Sequence, residues 1–241
     1  MGAPEIATIL VAEDEPDLSE LITMEFSIRG HRTYSALDGR KAFEIAERQP
    51  VDLIVTDVRM PHMSGLELLD TMKARDPFRP AVIFISAYAD FALPQVYSRG
   101  AEGFFTKPFR LSSLTERADY LLAQRGGLWC GRAGADAADP AIRLEPAEGA
   151  GEVLLGRGGA LVTGPGPAVA HSGQRVRLAV ACAQLDGARL DGVGAIKWAC
   201  DTVDHQVEYG VELESLEEDS RRRYVEWLAS ARPVAYIPVR D

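Results

Sequence analysis

The chain has 241 residues, of which 46% are hydrophobic and 26% charged, and its formal net charge is -10. This length and apolar content predict two modest globular domains, each with its own core. Acidic residues outnumber basic ones in both halves, so neither offers the basic face that binding to a nucleic-acid backbone requires, and DNA is not an expected partner. No apolar stretch approaches the roughly 20 residues of a membrane span, and the N-terminus lacks a basic segment followed by a hydrophobic one; we therefore expect a cytoplasmic protein without a membrane span.

Residues 6–125 alternate short apolar runs with helical patterns. Five repeats of strand then helix are typical of a doubly wound α/β fold with a five-stranded parallel sheet. The first helix carries Leu18, Leu21, Ile22 and Phe26 on one stripe. The predicted strands are 6–12, 32–36, 51–56, 81–86 and 103–106, and the predicted helices are 18–29, 40–48, 65–75, 91–99 and 111–124.

Residues 126–141 are small, polar and without periodicity, which predicts an interdomain linker. Residues 142–241 then show short strands separated by glycine and proline turns, with strict alternation in 176–182 and 207–213. This pattern predicts a mostly antiparallel β-barrel domain that closes with a helix. Ser215 and Glu218 form a capping box for that helix, and Leu216, Val225 and Leu228 its apolar side. The predicted strands are 142–145, 152–155, 160–163, 176–182, 193–201 and 207–213.

Cys130, Cys182 and Cys200 are widely spaced and odd in number, so the sequence offers neither a disulfide framework nor a metal-binding cysteine motif. The chemistry is instead concentrated in acidic residues at predicted strand ends. The run 51–56 leads directly to Asp57, and open α/β sheets bind their ligands just beyond the carboxyl ends of such strands. A carboxylate at this position can react or bind a metal.

The first predicted strand ends in Glu13 and Asp14, which fall at the same sheet edge as Asp57 if the two strands are neighbours. Three clustered carboxylates repel one another unless a cation lies among them, and Mg²⁺ prefers oxygen ligands of this kind. Lys107, after the fifth strand, supplies a second cation, and Ser86, at the end of the fourth, supplies a hydroxyl. The set predicts phosphoryl transfer to a carboxylate.

These sites, each at the end of a predicted strand, strongly resemble the receiver domain of bacterial two-component response regulators, a CheY-like fold, over residues 6–125. The resemblance implies that Asp57 accepts phosphate from a histidine kinase or phosphotransfer protein. It also implies that Glu13, Asp14, Asp57 and the main-chain carbonyl of Arg59 bind Mg²⁺. The remaining implied roles belong to Ser86 as the switch hydroxyl, Lys107 as the phosphoryl-binding lysine and Phe104 as the aromatic switch residue.

The order of elements in residues 142–241 resembles a PilZ domain. The most specific part is Gly194-Ala195-Ile196-Lys197-Trp198 followed by Tyr209-Gly210-Val211-Glu212-Leu213. PilZ domains are best known as cyclic di-GMP receptors that use an Arg-x-x-x-Arg segment and an Asp/Asn-x-Ser-x-x-Gly turn. When Gly159 is taken as the final glycine of that turn, Leu154 stands at the acid or amide position and Gly156 at the serine position. These departures argue against cyclic di-GMP binding, and the candidate nucleotide contacts that remain are Arg132, Arg157 and Gly159, with Arg175 and Arg177 as substitutes.

The sequence thus predicts a non-enzymatic response regulator of a phosphorelay. Phosphorylation of Asp57 would switch how the receiver or the PilZ-like domain engages an unidentified protein partner, and family association suggests control of motility, polarity or surface behaviour. A cyclic di-GMP effector that integrates both signals is the alternative, and a receiver that serves as a constitutive docking module is a third. The oligomeric state, a homodimer included, stays open.

Overall fold

The computed structural model describes residues 6–87, 93–123, 132–133, 142–144, 153–165, 168–202 and 204–240. The chain divides into two compact units, one of residues 1–92 and 99–126 and the other of residues 93–98 and 127–241. The first elements are β1 (Thr8–Ala12), α1 (Pro16–Ile28), β2 (Arg32–Ala36), α2 (Gly39–Arg48), β3 (Leu53–Asp57), α3 (Gly65–Arg75), β4 (Ala81–Ser86), α4 (Leu93–Ser98), β5 (Gly103–Thr106) and α5 (Leu111–Ala123). They are followed by β6 (Arg132–Ala133), β7 (Arg143–Leu144), β8 (Val153–Leu155), β9 (Gly159–Pro165), β10 (Arg175–Ala181), β11 (Arg189–Asp201), β12 (Gln206–Leu216) and α6 (Glu218–Ala231).

The first unit contains a five-stranded parallel sheet in the order β2-β1-β3-β4-β5, which confirms the predicted α/β fold. All five residues of the central strand β3 are buried, as expected of a parallel strand covered on both faces. The strand order reverses between β1 and β3, and in open α/β sheets such a reversal opens a crevice at the carboxyl ends of the strands. The fold therefore places the ends of β1 and β3 side by side.

One face of this sheet is covered by α1 and α5. Ile22 and Phe26 from α1, and Leu114 and Ala118 from α5, pack with strand residues in one apolar cluster. Leu21 was predicted to share this face, but its side chain is 52% exposed because it lies one residue before Ile22 and so points away from the sheet.

The second unit contains a seven-stranded, mostly antiparallel sheet in the order β7-β10-β11-β12-β9-β8, with β6 paired to β12. The predicted alternation of burial is confirmed in β10, whereas residues 209–213 of β12 are all buried. The apolar residues that were predicted to share one face lie in one core cluster, namely Val176, Leu178, Val180, Val207, Tyr209, Val211 and Leu213. Within the described residues the sheet is curled like half a barrel, and β7 and β8 at its ends pair with one neighbour each. Among the described strands, no pairing joins the two ends of the sheet into the predicted barrel, and the end strands β7 and β8 have only two and three residues.

The predicted start of the closing helix is wrong. Ser215 and Leu216 continue β12, where Ser215 pairs with Val193 and with Arg132. Their backbone groups serve the sheet, so α6 begins at Glu218 and its N-cap residue, Glu217, makes no side-chain capping bond. Tyr224 and Leu228 form the buried side of α6, with Val225 partly buried.

Most of the predicted linker, 126–141, lies outside the described residues, although 132–133 form β6. The predicted domains differ from the two compact units at one further place, because α4 groups with the second unit. None of the described helices is long and apolar enough to cross a membrane.

A buried ion pair stabilises the first unit. Lys73 Nζ lies 2.8 Å from Glu102 Oε1, with side chains 0% and 3% exposed. Glu102 Oε2 accepts a hydrogen bond of 2.7 Å from Val82 N–H. Glutamine at position 102 would retain one acceptor for these two donors and would leave the Lys73 charge uncompensated. We therefore expect Glu102→Gln to lower the free energy of unfolding by about 3–5 kcal/mol, measured by urea titration.

The matched control for Glu102→Gln is Glu47→Gln. Glu47 pairs with Arg75 at 2.8 Å, but both side chains are about half exposed, at 45% and 50%. An exposed pair contributes about 0–1 kcal/mol, so this variant should unfold nearly as the wild type does. Equal effects of the two substitutions would contradict the role assigned to burial.

Candidate phosphoacceptor and metal site

The chain brings three carboxylates together at the crevice beside β1 and β3. Glu13 and Asp14 follow β1 directly, and Asp57 is the last residue of β3. One carboxylate oxygen from each residue can be chosen so that all three lie within 4.8 Å of one another. Glu13 is fully buried, Asp57 is 7% exposed and Asp14 lies on the surface. The structure thus assembles the three acidic residues that the sequence singled out.

Lys107 reaches the same crevice from the end of β5. Its Nζ donates to Glu13 Oε1 and to Asp57 Oδ2, both at 2.9 Å. Burial favours the neutral amine, but the hydrogen bonds to Glu13, Asp57 and Glu15 outweigh it, so the pKa of Lys107 is raised above its usual value. The ammonium is therefore a fixed positive charge between two carboxylates.

Glu15 is a contact that the sequence reasoning missed. Lys107 Nζ lies 3.0 Å from Glu15 Oε1, and the Glu15 side chain is 67% exposed. The signal was its place in the acidic run Glu13-Asp14-Glu15, but such a run does not show which carboxylate faces a lysine distant in sequence. Because this carboxylate is exposed, its pairing with Lys107 contributes little to stability.

Glu13 carries an unsatisfied oxygen. Its Oε1 accepts from Lys107, while its Oε2 is buried and has no hydrogen-bond partner. Burial raises the pKa of Glu13, opposed by the hydrogen bond from Lys107. A buried carboxylate oxygen without a donor carries a desolvation cost that a cation would remove. The all-oxygen donor set and this orphan oxygen fit a hard divalent cation such as Mg²⁺.

The backbone around Asp57 is held by its neighbours. Arg59 N–H donates to Asp57 Oδ1 at 3.1 Å. A Cβ at position 65 would lie 2.0 Å from the Asp57 carbonyl oxygen, so only glycine lets α3 begin this close to β3. Ser64 caps α3 and Glu67 completes a capping box. The chain after β3 is thereby fixed beside the carboxylate.

Of the two predicted switch residues, Ser86 lies at this end of the sheet and Phe104 lies within β5. Ser86 is the fully buried last residue of β4, and its carbonyl oxygen accepts from Lys107 N–H at 2.7 Å. Phe104 is partly buried in β5, where it pairs in register with Phe84 of β4. The roles of Ser86 and Phe104 in switching, and of the Arg59 carbonyl in metal binding, stay predictions.

Among the residues that the structure describes, the candidate nucleotide contacts of the second unit are not assembled into a comparable site. Arg157 is 7% exposed, its Nε donates to the Val234 carbonyl oxygen at 3.1 Å, and its guanidinium lies 5.4 Å from the centre of the Tyr236 ring. A Cβ at Gly159 would lie 2.4 Å from the Val211 carbonyl oxygen, so this glycine serves close packing. The Arg132 side chain lies outside the described part of the chain.

The two substitute arginines also have acidic partners. Arg175 Nε lies 2.7 Å from Glu214 Oε2, and an Arg177 terminal nitrogen lies 3.2 Å from Glu217 Oε1. A phosphate would have to compete with these carboxylates for either guanidinium. The described contacts therefore give the second unit no set of arginines ready for a nucleotide.

Comparison with known proteins assigns the N-terminal half of the chain to a family. Residues 9–119 match the family described as the response regulator receiver domain. The probable transcriptional regulatory protein TcrX of Mycobacterium tuberculosis is 33% identical over 49% of this chain and 51% of its own length. The response regulator protein PilR of Pseudomonas aeruginosa is 39% identical over 44% of this chain and 24% of its own length. Sporulation initiation phosphotransferase F of Bacillus subtilis is 30% identical over 45% of this chain and 87% of its own length.

The chain thus spans about half of TcrX, about a quarter of PilR and most of the phosphotransferase. The similarity to the phosphotransferase extends over nearly that whole protein, and the family match covers β1 through most of α5. Through residues 9–119 the chain belongs to the response regulator receiver family.

Proposed function

We propose that the chain is a response regulator of a phosphorelay in which Asp57 is the phosphoacceptor. The observation that carries this proposal is the convergence of Asp57, Glu13, Asp14 and Lys107 at one sheet edge. A carboxylate nucleophile needs positive charge nearby, because the incoming phosphoryl group is itself negative. The expected donor is a histidine kinase or a phosphotransfer protein.

Glu13, Asp14 and Asp57, together with the main-chain carbonyl of Arg59, are the residues that would hold Mg²⁺. Bound there, the ion supplies positive charge that neutralises the oxygens of the phosphoryl group. The orphan Oε2 of Glu13 is the feature of this chain that favours such a site. Glutamate at position 13 carries one more methylene group than the aspartate commoner in the family, which changes the reach of this ligand.

The transfer follows from the contacts of Asp57. One of its carboxylate oxygens forms a bond to phosphorus while the bond from phosphorus to the donor imidazole nitrogen breaks, and that electron pair leaves with the imidazole. Lys107, now 2.9 Å from Asp57 Oδ2, would donate to the phosphoryl oxygens instead. The Ser86 hydroxyl would provide a further hydrogen bond to the same group.

The output would be a shift between two conformations. Phosphorylation replaces the single negative charge of the Asp57 carboxylate with the nearly two negative charges of the phosphoryl group, Ser86 moves toward that group, and Phe104 fills the space that Ser86 leaves. If the free-energy difference between the two conformations changes by a few kcal/mol, their populations are inverted. Such a shift would alter binding to a protein partner. Motility, polarity or surface behaviour is the setting that a receiver joined to a PilZ-like domain suggests.

Acetyl phosphate with Mg²⁺ tests the phosphoacceptor directly. We expect intact-protein mass spectrometry to show one added phosphoryl group on the wild type and none on Asp57→Asn, because the amide has no anionic oxygen. Asp70→Asn is the matched control, since Asp70 lies on the surface of α3 and its side chain is 51% exposed. Labelling of Asp57→Asn to the wild-type level would contradict the assignment, and an unlabelled wild type would favour a constitutive docking module.

Cyclic di-GMP is not expected to bind with micromolar affinity, because Arg157, Arg175 and Arg177 already contact protein acceptors. Isothermal titration calorimetry of the full chain should show no saturable heat. The prediction would be wrong if the wild type bound cyclic di-GMP with micromolar affinity and Arg157→Ala did not, provided that the variant kept the far-ultraviolet circular dichroism spectrum of the wild type. The chain would then be a cyclic di-GMP receptor.

A further inference from the structure

The exposed carboxylate of Glu15 shares the ammonium group of Lys107 with two buried carboxylates of the receiver site. A lysine ammonium carries three N–H donors. Those of Lys107 reach Glu13 Oε1 and Asp57 Oδ2 at 2.9 Å and Glu15 Oε1 at 3.0 Å. Each donor of this cation is therefore matched by a carboxylate before any phosphoryl group arrives.

The three acceptors differ in how easily Lys107 can release them. The Glu13 side chain is fully buried and that of Asp57 is 10% exposed, whereas the Glu15 side chain is 67% exposed. Water replaces a cation beside an exposed carboxylate at little cost, but a buried carboxylate that loses its cation carries a large desolvation cost. Glu15 is therefore the partner that Lys107 can give up.

The backbone of Glu15 is held independently of its side chain. Its N–H donates to Glu13 Oε1 at 3.3 Å, and its carbonyl oxygen accepts from Ser19 N–H at 2.9 Å. Glu15 is also the N-cap residue of α1, yet its side chain makes no capping bond. A carboxylate is favoured beside the first turn of a helix, where backbone N–H groups lack intrahelical partners. The released carboxylate would thus find a favourable place beside α1 without movement of the main chain.

A phosphoryl group on Asp57 would compete with Glu15 for the same cation. Phosphorylation replaces the single negative charge of the Asp57 carboxylate with nearly two, on oxygens to which Lys107 would donate. Negative groups gathered around one ammonium repel each other, and screening by solvent weakens this repulsion without removing it. The contact of Lys107 with Glu15 and its contact with a phosphoryl group therefore oppose each other.

We propose that Glu15 is a placeholder for the phosphoryl group. Its carboxylate holds Lys107 while Asp57 is unphosphorylated and is displaced from the ammonium group when a phosphoryl group is bound there. This proposal rests on the proposed function and adds a residue that limits the affinity of the site for phosphate. Glu15 acts through Lys107 and is therefore a positioning residue.

Beryllofluoride, a phosphoryl analogue, measures this competition without a transfer step. We expect the full chain with Glu15→Gln to bind beryllofluoride about two- to fivefold more tightly than the wild type in the presence of Mg²⁺, a range that corresponds to the modest free energy of an exposed ion pair. Fluorine NMR measures the bound fraction. Equal or weaker binding by Glu15→Gln would overturn the placeholder.

Glu15→Asp separates the contact from the charge. Aspartate keeps the negative charge but is one methylene group shorter, so its carboxylate would fall short of Lys107. The dissociation constant of this variant should lie nearer to that of Glu15→Gln than to that of the wild type. Glu20→Gln is the matched control, because Glu20 is exposed on α1 and its replacement removes the same charge. A wild-type value for Glu15→Asp, or an equal gain in Glu20→Gln, would contradict competition for Lys107.

Added salt tests the electrostatic origin of the effect. The Debye length falls from about 10 Å at 0.1 M ionic strength to about 3 Å at 1 M. The advantage of Glu15→Gln over the wild type in beryllofluoride binding should therefore shrink as sodium chloride is raised across this range. An advantage that did not change with salt would show that the substitution acts through local structure, and the placeholder would be wrong.

Acetyl phosphate with Mg²⁺ keeps the two proposals apart. Mass spectrometry of the intact chain should show phosphoryl transfer to the wild type. If the wild type is labelled but Glu15→Gln gains no affinity for beryllofluoride, the placeholder is overturned while Asp57 stays the phosphoacceptor. A wild type that takes up neither phosphate nor beryllofluoride would overturn the proposed function and the placeholder with it.

Discussion

The ammonium group of Lys107 is the interaction on which the receiver site depends. It contacts Glu13 and Asp57 at 2.9 Å and so joins the ends of the neighbouring strands β1 and β3 to the end of β5, which β4 separates from β3. Without this charge, the two buried carboxylates of Glu13 and Asp57 would repel each other with no ammonium group between them. The proposed phosphoacceptor, the proposed metal ligands and the ammonium group beside them thus share a single electrostatic arrangement.

In the second unit, the arginine and glycines that were candidates for nucleotide binding serve packing instead. Arg157 and the glycines beside it hold the chain from Val234 to Tyr236, and Tyr236 in turn contacts Tyr97 of α4. Residues that would suit a nucleotide phosphate are therefore engaged with the C-terminal segment.

The sequence predicts the receiver well because its local signals agree with its tertiary structure. The predicted bounds of α3 and β4 match those of the structure, Asp57 is the last residue of β3, and Glu13, Asp14 and Lys107 lie just after the ends of β1 and β5. Other features depend on contacts that sequence pattern does not encode. Pairing with Val193 draws Ser215 into β12, the approach of Glu15 to Lys107 spans 92 positions, and α4 joins the second unit through Tyr236.

The phosphoacceptor role of Asp57 is tested most directly by a crystal structure of the full chain with Mg²⁺ and beryllofluoride. The geometry predicts beryllium bonded to a carboxylate oxygen of Asp57, Mg²⁺ on the oxygens of Glu13, Asp14 and Asp57, and Lys107 Nζ in contact with fluorine. Beryllofluoride bound elsewhere, or an Asp57 carboxylate that carries no beryllium at saturating ligand and still contacts Lys107, would contradict the phosphoacceptor role.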